Sequence, residues 1–215
     1  MSRDALIVWG GWEGHEPEQG AKVVTTMLEE AGFRVRVETS TATFKDSALP
    51  DLALIVPIYT MSQIKKDEAE ALSRAVEGGV GLAGYHGGMA DAFRESTEYQ
   101  FIVGGQWVAH PGDIIDYDVD VTRPDDPIMS GIPERFSYRS EQYYMHVDPS
   151  NEVLATTSFT GHHAAWIAGV VMPVVWKRKH GQGRVFYSSL GHVADEFKVP
   201  EMREIFRRGL LWAAG

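Results

Sequence analysis

The chain has no cysteine among its 215 residues. Disulfides, thiolate metal sites and a cysteine nucleophile are therefore excluded. Long apolar runs are also missing. The run over residues 5–10 is too short for a signal h-region and leads into Gly10-Gly11 without a cleavage-like site. No stretch approaches the roughly 20 apolar residues that a membrane span requires, so the expectation is a cytoplasmic protein with no membrane partner. Positive charge is scarce: 20 Lys and Arg stand against 30 Asp and Glu, a formal net charge of −10. The densest basic group, Lys177-Arg178-Lys179, is far from the stripe needed to neutralise a phosphate backbone, which argues against nucleic acid. The sequence shows no internal repeat and no linker. Gly10-Gly11-x-x-Gly14 falls short of a dinucleotide fingerprint, and Glu38 is the only acid near the end of a second strand. No nucleotide cofactor is expected.

What is present is ordinary globular material, 44% hydrophobic and 23% charged. The length suits one domain spanning residues 1–215. Ala5–Trp9, Leu52–Val56 and Val80–Tyr85 are unbroken apolar runs, the mark of strands buried on both faces. Between the first two, Pro17 opens a helix carrying Val24, Met27, Leu28 and Ala31 at helical spacing; Gly32 stops it, and Phe33–Val37 reads as the next strand. Thr60 with Gln63 has the spacing of a capping box ahead of a stripe of Ile64, Ala69, Leu72 and Val76. Asp116–Val121 alternates like a half-wet strand, and Val153–Thr157 reads as a strand. Val174–Lys177 and Arg184–Tyr187 flank a glycine-containing turn as a β-hairpin, and a last helix follows Pro200. Alternating strands and helices imply an α/β fold, a doubly wound, mostly parallel sheet with a hairpin near the C-terminus.

Ligands of such sheets bind beyond the carboxyl ends of the strands. Histidines fall there: His15 after the first strand, His86 at the end of Val80–Tyr85, His192 after the strand that follows the hairpin. His110 and His146 lie in the irregular middle section near Glu141 and Tyr143. Gly84-Tyr85-His86-Gly87-Gly88 follows the G-x-nucleophile-x-G elbow pattern with histidine in the nucleophile slot. An elbow would hold His86 exposed at a helix N-terminus, whose positive end favours the neutral ring. Trp12 could stack on a sugar face. Trp9, Trp107, Trp166, Trp176 and Trp212 read as core or site wall, and His162-His163 receives no role.

These motifs resemble the ThuA-like (trehalose-utilisation) family, whose fold is that of the class I glutamine amidotransferases. The resemblance runs over nearly the whole chain. It is carried by Gly79–His86, by Gly104-Gly105-Gln106 with His110-Pro111, by Pro173–Trp176 and above all by Gly181–His192, which ends in Leu-Gly-His. It implies a flavodoxin-like sheet with the site at the elbow. It also implies a role in sugar catabolism, on a small carbohydrate or keto-sugar made by a partner dehydrogenase. His192 resembles the catalytic histidine of the amidotransferases. The acid expected two residues later is replaced by Ala194, with Asp195 and Glu196 beyond. Imidazole cannot replace a thiolate in forming a glutamyl thioester, so glutaminase activity is not expected.

Two chemistries then stand open. His15, His86, His192 and Glu141 could ligate a divalent metal, Zn²⁺ or similar, although no H-x-x-x-H spacing shows from sequence that they meet. Alternatively His86 or His192 is an acid–base group, with Tyr143 or the Gly87 N–H as donor to a developing oxyanion. Catalysis is assigned to His86, His192 and Tyr143, and substrate binding to Trp12, Gly87, His110 and Glu141. The reading leans to an enzyme. Its rival is a non-catalytic sugar-binding or regulatory subunit, and homo-oligomerisation stays open.

Overall fold

The computed structural model describes residues 3–215. Its strands are β1 (Asp4–Gly11), β2 (Arg34–Glu38), β3 (Leu54–Thr60), β4 (Gly81–Tyr85), β5 (Gly105–Ala109), β6 (Ile114–Val121), β7 (Arg135–Glu141), β8 (Tyr144–Val147), β9 (Glu152–Ser158), β10 (Val171–His180) and β11 (Gly183–Ser188). The helices are α1 (Pro17–Glu30), α2 (Lys66–Glu77), α3 (His86–Ala90), α4 (Thr97–Val103) and α5 (Pro200–Ala214). Nine strands form one sheet in the order β2-β1-β3-β4-β11-β10-β9-β6-β7, and β5 pairs with β8 separately. The first five positions are joined by parallel pairings, the remainder by antiparallel ones. The parallel half has the flavodoxin-like 2-1-3-4-5 order, whose direction reverses beside β1. No described helix is long and apolar enough to cross a membrane.

The unbroken apolar runs are explained by burial on both faces. Ala5 and Ile7 of β1 pack toward α1 and α5, while Leu6 and Val8 pack toward the layer of α2 and α4. A strand has a side-chain period of two, so a two-sided strand has no polar phase. The helix stops are also local. Gly32 adopts φ +83° just past α1, the left-handed conformation that ends helices at little cost to glycine. One sequence expectation fails here. Thr60 caps no helix: α2 begins at Lys66, and its capping box joins Lys65 to Glu68. Thr60 is instead the buried last residue of β3. Trp166 is likewise no wall or core residue, being 86% exposed.

The antiparallel half matters for what it delivers. β6 pairs with β7 along its whole length, but with β9 only at Asp120↔Thr156 and Val121↔Ala155. The other end of the β6–β7 hairpin, where Ile114 pairs with Glu141, has no pairing to β9. Glu141, the last residue of this edge strand, meets His86 at the end of β4.

β4 presents the elbow, and its start is clamped. A β-carbon on Gly81 would overlap the Ala213 carbonyl of α5 and stand 3.0 Å from the Ala53 carbonyl. Both obstacles are backbone and have no rotamer with which to yield. Gly81→Ala is expected to cost about 1–3 kcal/mol by overpacking, read as a lower denaturation midpoint at unchanged m-value. A loss below about 0.5 kcal/mol would show that the end of α5 moves aside freely.

Candidate functional site

The site lies at the carboxyl ends of β1, β3, β4 and β11. His15 follows β1, Thr60 ends β3, His86 follows β4 and His192 follows β11. The elbow geometry is present in the backbone: Tyr85 is extended and His86 turns to φ +47° as the first residue of α3. A non-glycine residue there is strained, and such strain persists only where the surroundings over-determine it. Here they do. His86 is 1% exposed, Tyr187 Oη donates to its carbonyl at 3.1 Å, and the Tyr143 ring stacks on the imidazole at 4.1 Å between centroids. The elbow expectation of an exposed His86 is thus corrected: the β6–β7 hairpin and the residues after it close over the ring.

The glycines of the motif are there for room. A β-carbon on Gly87 would stand 2.7 Å from the His15 ring and 3.0 Å from the Tyr143 hydroxyl. One on Gly88 would press within 3.3 Å of the β3 backbone at Ile58. The two glycines let α3 sit against both His15 and β3.

Glu141 is the centre of the site. Its Oε2 lies 3.1 Å from His86 Nε2 and 3.9 Å from His15 Nε2; its Oε1 lies 3.6 Å from His192 Nε2 and 3.7 Å from His110 Nε2. His86 Nδ1 is 2.8 Å from the Ser189 carbonyl. A carbonyl only accepts, so Nδ1 carries hydrogen and donates. With Nδ1 so engaged, Nε2 donates to Oε2 only when the ring carries hydrogen on both nitrogens; in the neutral ring its lone pair faces the carboxylate, and a cation between them would make the contact attractive. His15 Nδ1 lies 2.9 Å from Thr60 Oγ1, a hydroxyl that either donates or accepts, so this contact aims the ring and leaves its tautomer open. Outer partners of this kind orient a ligating imidazole.

Electrostatics follow from burial. His15 is lowered to about 3, first by burial and then by the charges of His86 and His192. His192 is also held below the usual histidine value, by burial and then by His86. Burial pushes the Glu141 carboxyl up, but the His86 hydrogen bond and the neighbouring imidazoles outweigh it and hold the group ionised. Burial, then the charges of Tyr187, Glu141 and Asp91, keeps the Tyr143 phenol protonated and able to donate.

One ligand atom from each of His15, His86, Glu141 and His192 lies within 4.8 Å of all the others. Three imidazoles with one carboxylate form a donor set suited to first-row divalent ions. The set opens on a cleft of about 380 Å³, lined also by Trp12, Trp107, His110 and Tyr143. Trp12 is 45% exposed and meets His15 edge-on at 4.8 Å. His110 stays outside the four-residue set, stacked over Tyr143 at 6.4 Å. His146 is exposed on β8, and His162 and His163 pair with each other in a loop; none of the three joins the cluster.

Sequence reasoning missed several partners. Thr60 was assigned to a cap, although its place at a strand end marks the site. Ser189 acts through its carbonyl, which no side-chain pattern reveals. Glu196 looked like a displaced relative of a missing acid. It does not touch the His192 ring; its Oε2 accepts from the backbone N–H of Gly191 at 3.2 Å and of His192 at 3.0 Å, and from Tyr138 Oη at 2.5 Å, while Oε1 accepts from Ser140 Oγ at 2.9 Å. One carboxylate thus ties the Leu-Gly-His turn to β7, the strand that ends in Glu141.

A histidine elbow on a 2-1-3-4-5 sheet, ringed by further imidazoles around one buried carboxylate, defines a class of flavodoxin-like proteins with an imidazole at the strand–helix turn. Within that class the chain belongs to the ThuA family, trehalose utilisation, whose model matches residues 4–213. It is similar in structure to a putative ThuA-like protein from Bacteroides uniformis, at 21% identity and a TM-score of 0.81 over 99% of this chain and 91% of that one. It is also similar to a putative ThuA-like protein from Parabacteroides merdae, at 18% identity and a TM-score of 0.79 over 100% and 90%. The fold recurs in a β-galactosidase from Bacillus circulans, at 16% identity and a TM-score of 0.58, over 99% of this chain but 30% of that one. No curated protein matches the sequence.

Glu196→Ala would strand four donors at once. It is expected to cost about 2 kcal/mol, the scale of hydrogen bonds to a charged acceptor, with Glu196→Gln clearly milder because an amide oxygen still accepts from the turn. Equal urea midpoints for the two variants would mean that the carboxylate does not hold the turn.

Proposed function

We propose that this protein acts on a carbohydrate or keto-sugar, by metal-assisted or acid–base chemistry at the His15–His86–Glu141–His192 cluster, and has no glutaminase activity. One observation carries the reading: four ligand-bearing groups from four separate strand ends converge on one point, with two of the imidazoles anchored through Nδ1 so that Nε2 faces that point. The trehalose-utilisation character of the family supports a sugar as the ligand. The exclusion of glutaminase rests on the thiol chemistry that imidazole cannot perform.

A divalent ion held by the four groups would supply Lewis-acid polarisation of a substrate carbonyl or hydroxyl. The chain's own groups do the rest. Glu141 and the anchored imidazoles hold charge and orientation. The Tyr143 hydroxyl, a donor at neutral pH, hydrogen-bonds an oxygen on which negative charge develops. Trp12 offers an exposed indole face to the ring C–H groups of a sugar. His110, on the open side of Glu141, binds substrate hydroxyls.

The test is metal stoichiometry and affinity on purified protein. About one divalent ion per chain is expected for wild type, with Zn²⁺ and Co²⁺ as probes. His86→Ala should lose more than the roughly 10–100-fold that removal of an outer partner costs. Wild-type affinity for either ion at or below that of His86→Ala would overturn the metal reading. If sugar binding also survives in His86→Ala with its affinity intact, the non-catalytic binding subunit takes its place.

The pH dependence has a definite sign. Ligation needs unprotonated nitrogens, so protons compete; because burial holds His15 at about 3 and His192 below the usual histidine value, affinity falls as pH is lowered below about 6.5 toward 3. Affinity that rises on acidification, measured by competition with a chelator of known pH behaviour, would exclude imidazole ligation.

A further inference from the structure

Beyond the cluster, the same cleft contains a fixed ion pair that the proposed chemistry leaves unused. Asp91 follows α3 directly and is 3% exposed. Its carboxylate accepts two hydrogen bonds from Arg94, Nε to Oδ1 at 2.5 Å and Nη2 to Oδ2 at 2.8 Å. The guanidinium lies over the Trp107 ring, 4.6 Å from its centroid. Asp91, Arg94 and Trp107 line the cleft together with Trp12, Glu141 and His192.

The backbone under the pair is held as well. Asp91 N donates to Gly87 O at 3.1 Å and Met61 N to Asp91 O at 2.9 Å, while Gln100 Nε2 donates to Arg94 O at 2.7 Å. The guanidinium is thus oriented by a bidentate bond, an aromatic face and a braced loop. Among the described residues no protein acceptor takes the third nitrogen, Nη1, and the Arg94 side chain remains 44% exposed. The buried Asp91 carboxylate needs the guanidinium as its partner, while the outer face of Arg94 stays open to the cleft.

Ring contacts run from Trp12 through His15, the buried His86 and Tyr143 to Trp107, with successive centroids 4.8, 4.8, 4.1 and 6.2 Å apart. Trp12 lines the cleft with an exposed indole, and Arg94 on Trp107 lines it with a planar set of hydrogen-bonding groups. A sugar ring has both matching surfaces, a C–H face and a rim of hydroxyls. Charge decides which sugars fit. Asp91 cancels Arg94, and Asp113, its side chain 88% exposed, adds a negative charge at the same mouth. An anion-binding arginine would keep its charge uncompensated and offer its bidentate edge to the ligand; here that edge is taken by Asp91.

Resting on the carbohydrate reading above, we infer that the Asp91–Arg94 pair on Trp107 is a hydroxyl-recognition subsite that selects uncharged sugars over sugar acids and sugar phosphates. Arg94 Nη1 donates to ring hydroxyls, and the Asp91 oxygens accept from them beside the guanidinium. Neither side chain belongs to the four-residue cluster, so the subsite governs binding and not the metal.

The experiment is a binding titration of the full chain by ligand-observed NMR. The probes are D-glucose and trehalose as neutral sugars, and glucuronate and glucose 6-phosphate as acidic ones, with Zn²⁺ affinity measured in parallel. Wild type should prefer the neutral probes by about tenfold or more, the scale of one hydrogen bond to a charged group. Arg94→Ala should weaken neutral-sugar binding by a similar factor with Zn²⁺ affinity within about twofold of wild type. Asp91→Asn, nearly isosteric, removes the compensating charge and should shift the preference toward glucuronate by about tenfold. Arg94→Gln checks that any loss comes from the guanidinium and not from the packing on Trp107. Glucuronate binding wild type as tightly as glucose, or Arg94→Ala leaving neutral-sugar affinity unchanged, would overturn the subsite. A fall in Zn²⁺ affinity alongside sugar affinity would also overturn it, by placing Arg94 in support of the cluster. Binding of none of the four probes by wild type would instead overturn the carbohydrate reading itself.

Discussion

A single buried carboxylate sets the terms for this molecule. Glu141 is ionised where water is scarce, and an unpaired charge in such a place is costly. Four imidazole nitrogens surround it, yet neutral imidazoles compensate a charge only when their N–H groups face it. The two whose Nδ1 atoms are engaged elsewhere turn Nε2 inward. The tight glycines of α3, the strained His86 backbone and the Thr60 and Ser189 contacts behind the rings hold the imidazoles against this one carboxylate.

The parallel half of the sheet supplies the histidines and the antiparallel half supplies the carboxylate. Neither half holds a site alone. The parallel strands bring their ends together because doubly wound sheets place loops from separate strands around one switch point. The β6–β7 hairpin brings Glu141 to the same point from the end that is not paired to β9. Glu196 then fastens β7 to the Leu-Gly-His turn, so the two halves meet through hydrogen bonds at the site as well as through the core.

The amino-acid pattern made part of this legible. Runs such as Leu6-Ile7-Val8 announce buried parallel strands because a two-faced strand needs apolar residues in both phases, and three histidines at strand ends announce a site because the ends converge. The elbow could be read as well, since Gly84-Tyr85-His86-Gly87-Gly88 encodes a turn with little space around it. What resists reading is anything that depends on tertiary placement. The residue type and neighbourhood of Glu141 single it out, but nothing in Arg135–Glu141 states that the end of an edge strand meets the turn after β4. Thr60 was lost because a Thr-x-x-Gln spacing fits a helix cap as well as a strand end. Asp91 and Arg94 fall where no period or motif distinguishes them; only the folded loop places them beside Trp107.

The dispersal of the four cluster residues along the chain has a consequence for how the molecule forms. His15, His86, Glu141 and His192 are drawn from widely separated stretches, and the His86–Glu141 contact alone closes a loop of 55 residues. Contacts of this kind come late, because the chain must surrender the entropy of each large loop before the contact repays it. A cation joining all four would stabilise the folded chain by mass action, because its ligands come together only there. For a chain without cysteine, that is a route to holding distant segments together that needs no oxidising compartment.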